Sequence, residues 1–409
     1  MIVKIATAAA GALLAMSAGA HAQVWSLEKS AYVDLSGALF VKKPPVGAAI
    51  TPSVQIAISI NGTPVYADAF GLAAPGVPAN VNTVYRFGSV SKQFTAAALL
   101  SLIEEKGGAL LDGGKSPAGA KATLDTPYAD IFSYAEAWSE KPVTLRHMLN
   151  MQSGYASYTS PPATPPNPFD TTKPIKPVDL SRRILSILTY NKSPGGGGAY
   201  NYSNTNYFLL AQGIEIIGGL TNYQDAIRDR VLDKAGMSKS GFITDSMTGL
   251  VVAQPGVDVS NRSYKDPSWP KGAGELMGTA SDLLKWHKAL MDDKLMSPKA
   301  RAAMFAPGPL ADPKTNAYYA MGWTVSSVGT VTWASHGGTI PGFSAYSGIL
   351  FDAAKNKYVS VAILINNDLA NTQGGLLDAW GKCYAQLAMD KASQLSKLGP
   401  VAKALCPGA

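Results

Sequence analysis

A serine followed three residues later by a lysine can set a nucleophile and its base on one helical turn. The chain carries that pair three times, at Ser26/Lys29, Ser89/Lys92 and Ser268/Lys271. Spacing alone settles nothing, because serine is a favoured helix N-cap and a lysine one turn on is ordinary helix surface. What surrounds each pair separates them. Ser26 stands just after an apolar leader-like segment, and Ser268 and Lys271 enclose Pro270 in a loop. Ser89, in "FGSVSKQFTAAALL", precedes a long helix-forming run with Phe94, Ala97, Ala98, Ser101 and Leu102 at helical spacing and Gly107-Gly108 to stop it. On such a turn Lys92 shares a face with Ser89. The positive end of the helix dipole and burial both disfavour an ammonium there, leaving neutral amine to take the serine's proton. The same helix end offers a backbone N–H to a developing oxyanion.

Two further segments carry complementary chemistry. "YNYSNTNYFLLAQGIEIIGG" sets Tyr202 and Asn204 in a loop after "SPGGGG" and ahead of an apolar helix. A tyrosine can pass a proton to a leaving group, and an asparagine amide can hold a substrate carbonyl and the lysine amine. A tyrosine simply packed at a helix start would look the same. "WASHGGTIPGFSAYSG" places His336, Gly337 and Gly338 at the end of a strand pattern, where residues without side chains let a ligand come close to the backbone.

The elements that must position these residues fall in a simple order. A helical pattern over Leu27 to Lys42 precedes "SVQIAISING" and "TPVYADAFG", alternating stretches joined at the hairpin signal Asn61-Gly62. From about Glu104 to Ala306 the chain is helical and loop-rich, broken at 160–177 by "SPPATPPNPFDTTKPIKP", a wall over the site or a plain surface loop. Strand patterns return in "YYAMGWTVSSVG", "VTWASH", "SAYSGILFD" and "KYVSVAILIN", and "GLLDAWGKCYAQLAMDKA" reads as a closing helix. This order predicts an α/β (α+β) fold: one central antiparallel sheet made from both ends of the chain, flanked by helices, with a mostly helical inserted subdomain. The boundaries expected are a sheet-forming part at about 23–103 and 307–409 and an insert at about 104–306.

The first 22 residues read as a secretory signal peptide: Lys4, a small and apolar run, then Ala20-His21-Ala22 before Gln23. A mature protein starting near Gln23, in the periplasm or secreted, is the expectation, without stable membrane insertion. Its loss removes one lysine and takes the net charge from +7 to +6. The basic residues are scattered, which argues against nucleic-acid recognition. Cys383 and Cys406 invite one disulfide tying down the tail in an oxidising compartment, with two free thiols as the alternative. Four histidines without H-E-x-x-H or C-x-x-C spacing leave little for a metal.

Taken together, "VYRFGSVSKQFTA", "VTLRHMLNMQSGY", "YSNTNYFLL", "AGELMGTASDLLKW", "YAMGWTV" and "HGGTIPGFSAYSG" resemble the penicillin-recognising serine hydrolases. The branch is that of class C β-lactamases, R61-type D-Ala-D-Ala carboxypeptidases, D-aminopeptidases and family VIII carboxylesterases. The resemblance runs from about Leu35 to Leu387. It implies Ser89 as the acylated nucleophile, Lys92 as proton acceptor, Tyr202 as acid-base partner, and Asn204 as contact for substrate carbonyl and lysine. His336, Gly337, Gly338 and Thr339 would form the third substrate-binding motif, with the Thr339 and Ser89 N–H groups as oxyanion hole. No metal or organic cofactor is implied. Class C β-lactamases carry Lys-Thr-Gly where this chain has His336, so carboxylate binding is weakened and small esters become the preferred substrates. Amides, peptidoglycan peptides and β-lactams are the alternatives. A different class, a slowly acylated penicillin or muropeptide sensor, would stop at one acyl group per chain. The family's second histidine in the "NMQSG" block is Met151 here, where a packing difference alone is expected.

Overall fold

The computed structural model describes residues 52–106, 122–132, 142–159, 173, 197–256, 259, 266–354, 356–368 and 376–391. The leader segment, the Leu27 to Lys42 pattern, Gly107-Gly108, the Pro-rich stretch apart from Lys173, and Cys406 lie outside these residues.

Eight strands build one antiparallel sheet: β1 (Val54–Ile60), β2 (Thr63–Phe70), β3 (Leu310–Asp312), β4 (Ala317–Ala320), β5 (Trp323–Val328), β6 (Val331–Ile340), β7 (Phe343–Asp352) and β8 (Lys357–Ile365). Their spatial order is β2-β1-β8-β7-β6-β5-β4-β3. β1 pairs with β8 from Val54↔Ile365 to Ile60↔Val359, so the two ends of the chain share one sheet, as the strand pattern predicts. The Asn61-Gly62 turn has both residues at positive φ (49° and 75°), the requirement of a tight type I′ hairpin.

Period-two alternation gives the sheet two apolar faces. Val359, Val361, Ile363 and Ile365 of β8 pack with Trp333, Tyr346 and the closing helix α4 (Leu376–Lys391). Ala362 and Leu364 point the other way, into a larger core shared with α1 (Ser91–Glu105), α2 (Asn204–Gly218) and α3 (Ala280–Met291). Every residue of α1 from Ser91 to Ile103 is buried, so it is a central helix and not the one-faced helix its apolar spacing suggests. Several of the polar side chains it carries inward are matched, while Gln93 Nε2 has no hydrogen-bond partner among the described residues. Thr95 Oγ1 donates to the Gly272 carbonyl at 2.7 Å, Ser91 Oγ accepts from Leu276 N–H at 3.1 Å, and Gln93 Oε1 accepts from Ser347 at 2.8 Å.

The inserted region, expected to be mostly helical, also contains short strands. Its Leu276–Gly278 strand pairs on one side with Tyr85–Arg86, just ahead of Ser89, and on the other with Gly241–Phe242, in a small three-stranded sheet. That sheet ties the insert to the start of α1. Among the described residues no helix is long and apolar enough to cross a membrane.

Two glycines let β6 touch the start of α1. A Cβ on Gly338 would collide with the Phe87 carbonyl oxygen and stand 3.2 Å from Ser89 N, and one on Gly88 (φ +51°) would lie 2.9 Å from Thr339 N. Gly338→Ala should therefore cost about 1 to 3 kcal/mol, the range for forced overpacking. Gly213→Ala, inside α2 where the new methyl would meet only the Tyr128 ring at 3.5 Å, should instead be neutral or stabilising by up to about 1 kcal/mol. Chemical denaturation of the two variants checks the difference; equal costs would show that the approach of β6 to Phe87 is not tight.

Candidate active site

Ser89 is partly buried in a single 3-10 turn, Gly88–Val90, immediately before α1. Helix α1 begins after Val90 with no side-chain cap, so the Ser89 hydroxyl does not serve as one. Ser89 Oγ lies 2.9 Å from Lys92 Nζ and accepts a hydrogen bond from the Tyr202 hydroxyl, also at 2.9 Å. Lys92 is wholly buried, and its amine donates to the Ala273 carbonyl at 2.8 Å. Burial holds its pKa well below the ordinary lysine value. A neutral amine that gives one N–H to Ala273 turns its lone pair to Ser89 and can accept the hydroxyl proton.

The acceptor loop that holds this amine was not legible in the sequence. Gly272 N–H donates to Glu275 Oε1 at 2.7 Å, and Lys271 is paired with Glu215 at 2.6 Å. These bonds, with those from Ser91 and Thr95, fix the Ala273 carbonyl over Lys92. Two charged residues in an otherwise apolar stretch, Lys271 and Glu275, were the available signal. They also dispose of the second Ser/Lys pair, since Ser268 Oγ donates to Asp266 at 2.7 Å while Lys271 serves Glu215. Ser26 and Lys29 lie outside the described residues.

Tyr202 comes from the segment just before α2, and Lys92 Nζ stands 5.1 Å from its ring centroid. Burial raises the Tyr202 pKa and the Ser89 hydrogen bond only partly offsets it, so the phenol holds its proton. Asn204, the first residue of α2, departs from the expected role. Its Nδ2 donates to Thr159 Oγ1 at 2.7 Å and its Oδ1 has no partner, so it does not touch Lys92. Ala273 bonds to the amine instead, and Asn204 borders the cleft.

His336 to Ile340 form the end of β6. β5 pairs with β6 only from Val331 to Ser335, so the remaining five residues have no strand on that side. Ile340 and Phe343 flank a two-residue turn of Pro341 and Gly342 (φ +79°). Ladder bonds to β7 then fall on Ile340, Gly338 and His336, and the N–H of Thr339 faces the open edge, toward Ser89. His336 is buried, with Nε2 3.1 Å from the Tyr319 hydroxyl and Nδ1 2.5 Å from the Gly337 carbonyl. Burial first, and the Lys92 charge second, lower its pKa to about 3. It is neutral at pH 7: Nδ1–H donates to Gly337, leaving Nε2 to accept from Tyr319.

A cleft of about 220 Å³ opens on Ser89, walled by Tyr158, Trp269, Ile340 and Pro341 and bordered by Asn204 and Thr339. Among the described residues no charged side chain lines it. The Tyr158 hydroxyl donates to the Trp269 carbonyl, and the Trp269 indole donates to the carbonyl of Lys173 at 2.9 Å. One residue of the Pro-rich stretch thus lies against this wall. Tyr158, Trp269 and Tyr319 escaped the sequence reading because isolated aromatics carry no spacing signal. Cys383, on α4, is not a free thiol.

His336 and His287 are both buried, each with its pKa lowered to about 3 by desolvation. Below the ordinary histidine pKa near 6.5 the unfolded chain binds protons that the folded chain refuses. Stability is therefore complete above pH 6.5 and falls as pH drops toward 3, by about 1.4 kcal/mol per pH unit for each imidazole. NMR titration should find both rings neutral at pH 5; a ring titrating near 6.5 would contradict its burial.

Comparison with known proteins agrees with this geometry. The Beta-lactamase family model matches residues 44–379. The chain is 25% identical over 300 residues to the putative penicillin-binding protein PbpX and 27% identical over 309 residues to penicillin-binding protein 4*, both of Bacillus subtilis. These matches cover 72% and 69% of this chain but 65% and 62% of those proteins, less than two thirds of their length. A D-aminopeptidase of Brucella anthropi is 28% identical over 198 residues, covering 48% of this chain and 34% of that protein. In fold, the chain is similar to the octameric penicillin-binding protein homologue from Pyrococcus abyssi (TM-score 0.64, 22% identity, 87% of this chain and 77% of that one). It is also similar to the D-amino acid amidase from Ochrobactrum anthropi SV3 (TM-score 0.61, 20% identity, 79% and 90%). With a match across most of its length and the antiparallel sheet and helices of that fold, the chain belongs to the Beta-lactamase family of serine hydrolases.

Proposed function

We propose that the protein hydrolyses small esters or amides with an uncharged acyl group through an acyl-enzyme on Ser89, with esters preferred. The observation that carries this reading is Ser89 Oγ held 2.9 Å from both Lys92 Nζ and the Tyr202 hydroxyl at the mouth of a cleft without charged walls.

The roles follow from proton affinities. Lys92 takes the Ser89 proton as Oγ bonds to the substrate carbonyl carbon, and the N–H groups of Ser89 and Thr339 hold the resulting oxyanion. Tyr202, a phenol that keeps its proton, donates it to the leaving alcohol or amine as the C–O or C–N bond breaks. Lys92 returns its proton to the phenolate, and water then releases the acid by the reverse sequence. His336, neutral where β-lactamases carry a lysine, gives no fixed cation for a substrate carboxylate. Esters, with their better leaving groups, lean least on Tyr202. A second reading, amide or peptide hydrolysis, is favoured by the D-aminopeptidase relative and the amidase of similar fold. The leader sequence supports export to the periplasm or the medium.

Ser89→Ala should lower kcat about a thousandfold or more, since only oxyanion and binding effects remain. A fluorophosphonate should label Ser89, and a label on another serine overturns the assignment. In a panel of p-nitrophenyl esters, D-amino acid amides, D-Ala-D-Ala peptides and nitrocefin, short esters should show the highest kcat/KM. A higher value for an amide selects the second reading. Release of a single equivalent of product would identify an acylated sensor instead. His336→Lys should shift kcat/KM toward carboxylate-bearing substrates by about ten- to a hundredfold, the worth of one charged hydrogen bond.

A further inference from the structure

Met151 stands where the resemblance leads one to look for a histidine, and its surroundings exceed simple packing. The short helix Leu145–Leu149 ends in a Schellman motif: Met151 N–H donates to the Met148 carbonyl at 3.2 Å, and Gln152 N–H to the His147 carbonyl at 2.7 Å. Met151 therefore occupies the left-handed position (φ 59°) that normally takes glycine or asparagine. An unbranched apolar residue held there, wholly buried, points to a use for its side chain.

That use is visible in three bonds. The Met151 carbonyl accepts from Asn201 N–H at 2.9 Å, and its sulfur lies 3.4 Å from Ser203 N and 3.4 Å from Asn206 Nδ2. Asn201 and Ser203 flank Tyr202 on either side. Ser203 N–H is the donor just before α2, with no other acceptor in the described structure, and a thioether is a weak but competent acceptor. Main chain and sulfur of one residue thus hold the backbone N–H of the residue before and of the residue after the tyrosine whose hydroxyl reaches Ser89.

We infer that the Met151 thioether is a positioning group for Tyr202, holding its hydroxyl on Ser89 through the Ser203 N–H and Asn206. The inference rests on Tyr202 acting as the proton donor proposed above. Without the sulfur the buried Ser203 N–H loses its acceptor, the segment 201–203 shifts, and the proton transfer slows while the cleft that binds substrate is left as it was.

The test is a double-mutant cycle on full-length protein with a p-nitrophenyl ester. Met151→Leu keeps volume and removes the acceptor. It should lower kcat about two- to tenfold, the range of one hydrogen bond, with KM changed less than about twofold. Combined with Tyr202→Phe it should lower kcat no further than Tyr202→Phe alone, whereas combined with Trp269→Phe the effects should multiply. Met151→Gln restores an oxygen acceptor at the same reach and should recover most of kcat. Thermal melts of every variant confirm folding. Full additivity with Tyr202→Phe, an unchanged kcat in Met151→Leu, or a failed rescue in a folded Met151→Gln overturns the positioning role. An unaffected Tyr202→Phe instead overturns the proposed role of Tyr202 itself, so the two failures read differently.

Discussion

The structure depends on keeping a lysine amine out of water. Lys92 sits on a helix buried on every side, and the cost of charging it there converts a strong base into one that can accept a proton from serine. Such an amine needs polar partners that do not restore its charge. The fold supplies a carbonyl, Ala273, and two hydroxyls, Ser89 directly and Tyr202 through it, and no carboxylate. The carboxylates of Glu215 and Glu275 bond to that carbonyl's loop, yet they are occupied by Lys271 and the Gly272 N–H. Their work is to hold the loop, and the bonds they make include those to Lys271, Gln224 and the Gly272 and Tyr223 N–H groups.

The same helix must also meet a strand edge. Strand β5 stops pairing at Ser335, which frees the backbone of Thr339, and glycines at 88 and 338 remove the side chains that would keep it from Ser89. Nucleophile and open edge come from segments some 250 residues apart in sequence. Only a sheet assembled from both chain ends, with the insert packed over it, brings them together.

This division explains what could be read in the sequence. Ser89, Lys92, Tyr202 and the strand at His336 were legible because each begins or ends an element with a strong periodic signal. The sheet was legible from its alternating β-branched stretches and the Asn61-Gly62 turn. Asn204 was placed on the cleft correctly but given the wrong partner, because the side chain that satisfies it, Thr159, lies 45 residues away in a loop. Ala273 was invisible for a different reason: its contribution is a carbonyl, which every residue has. Met151 was judged by residue type alone, and its role appears only when the helix end that turns its sulfur onto Ser203 is seen.

The distribution of charge around Ser89 gives these parts a common logic. His336 is neutral, Lys92 is driven toward neutrality, Tyr202 keeps its proton, and the described cleft walls are uncharged. The resting site therefore holds little charge, and in the proposed reaction the first charges to appear are an ammonium on Lys92 and an oxyanion beside Thr339. In a low-dielectric setting these attract each other strongly, so the site stabilises the transition state more than the ground state. A cation at position 336 would add attraction for anionic substrates but would also oppose the proton arriving on Lys92, the coupling already visible in the lowering of the His336 pKa by Lys92. Neutral histidine at this position and the proposed preference for neutral acyl groups are then two expressions of one electrostatic arrangement.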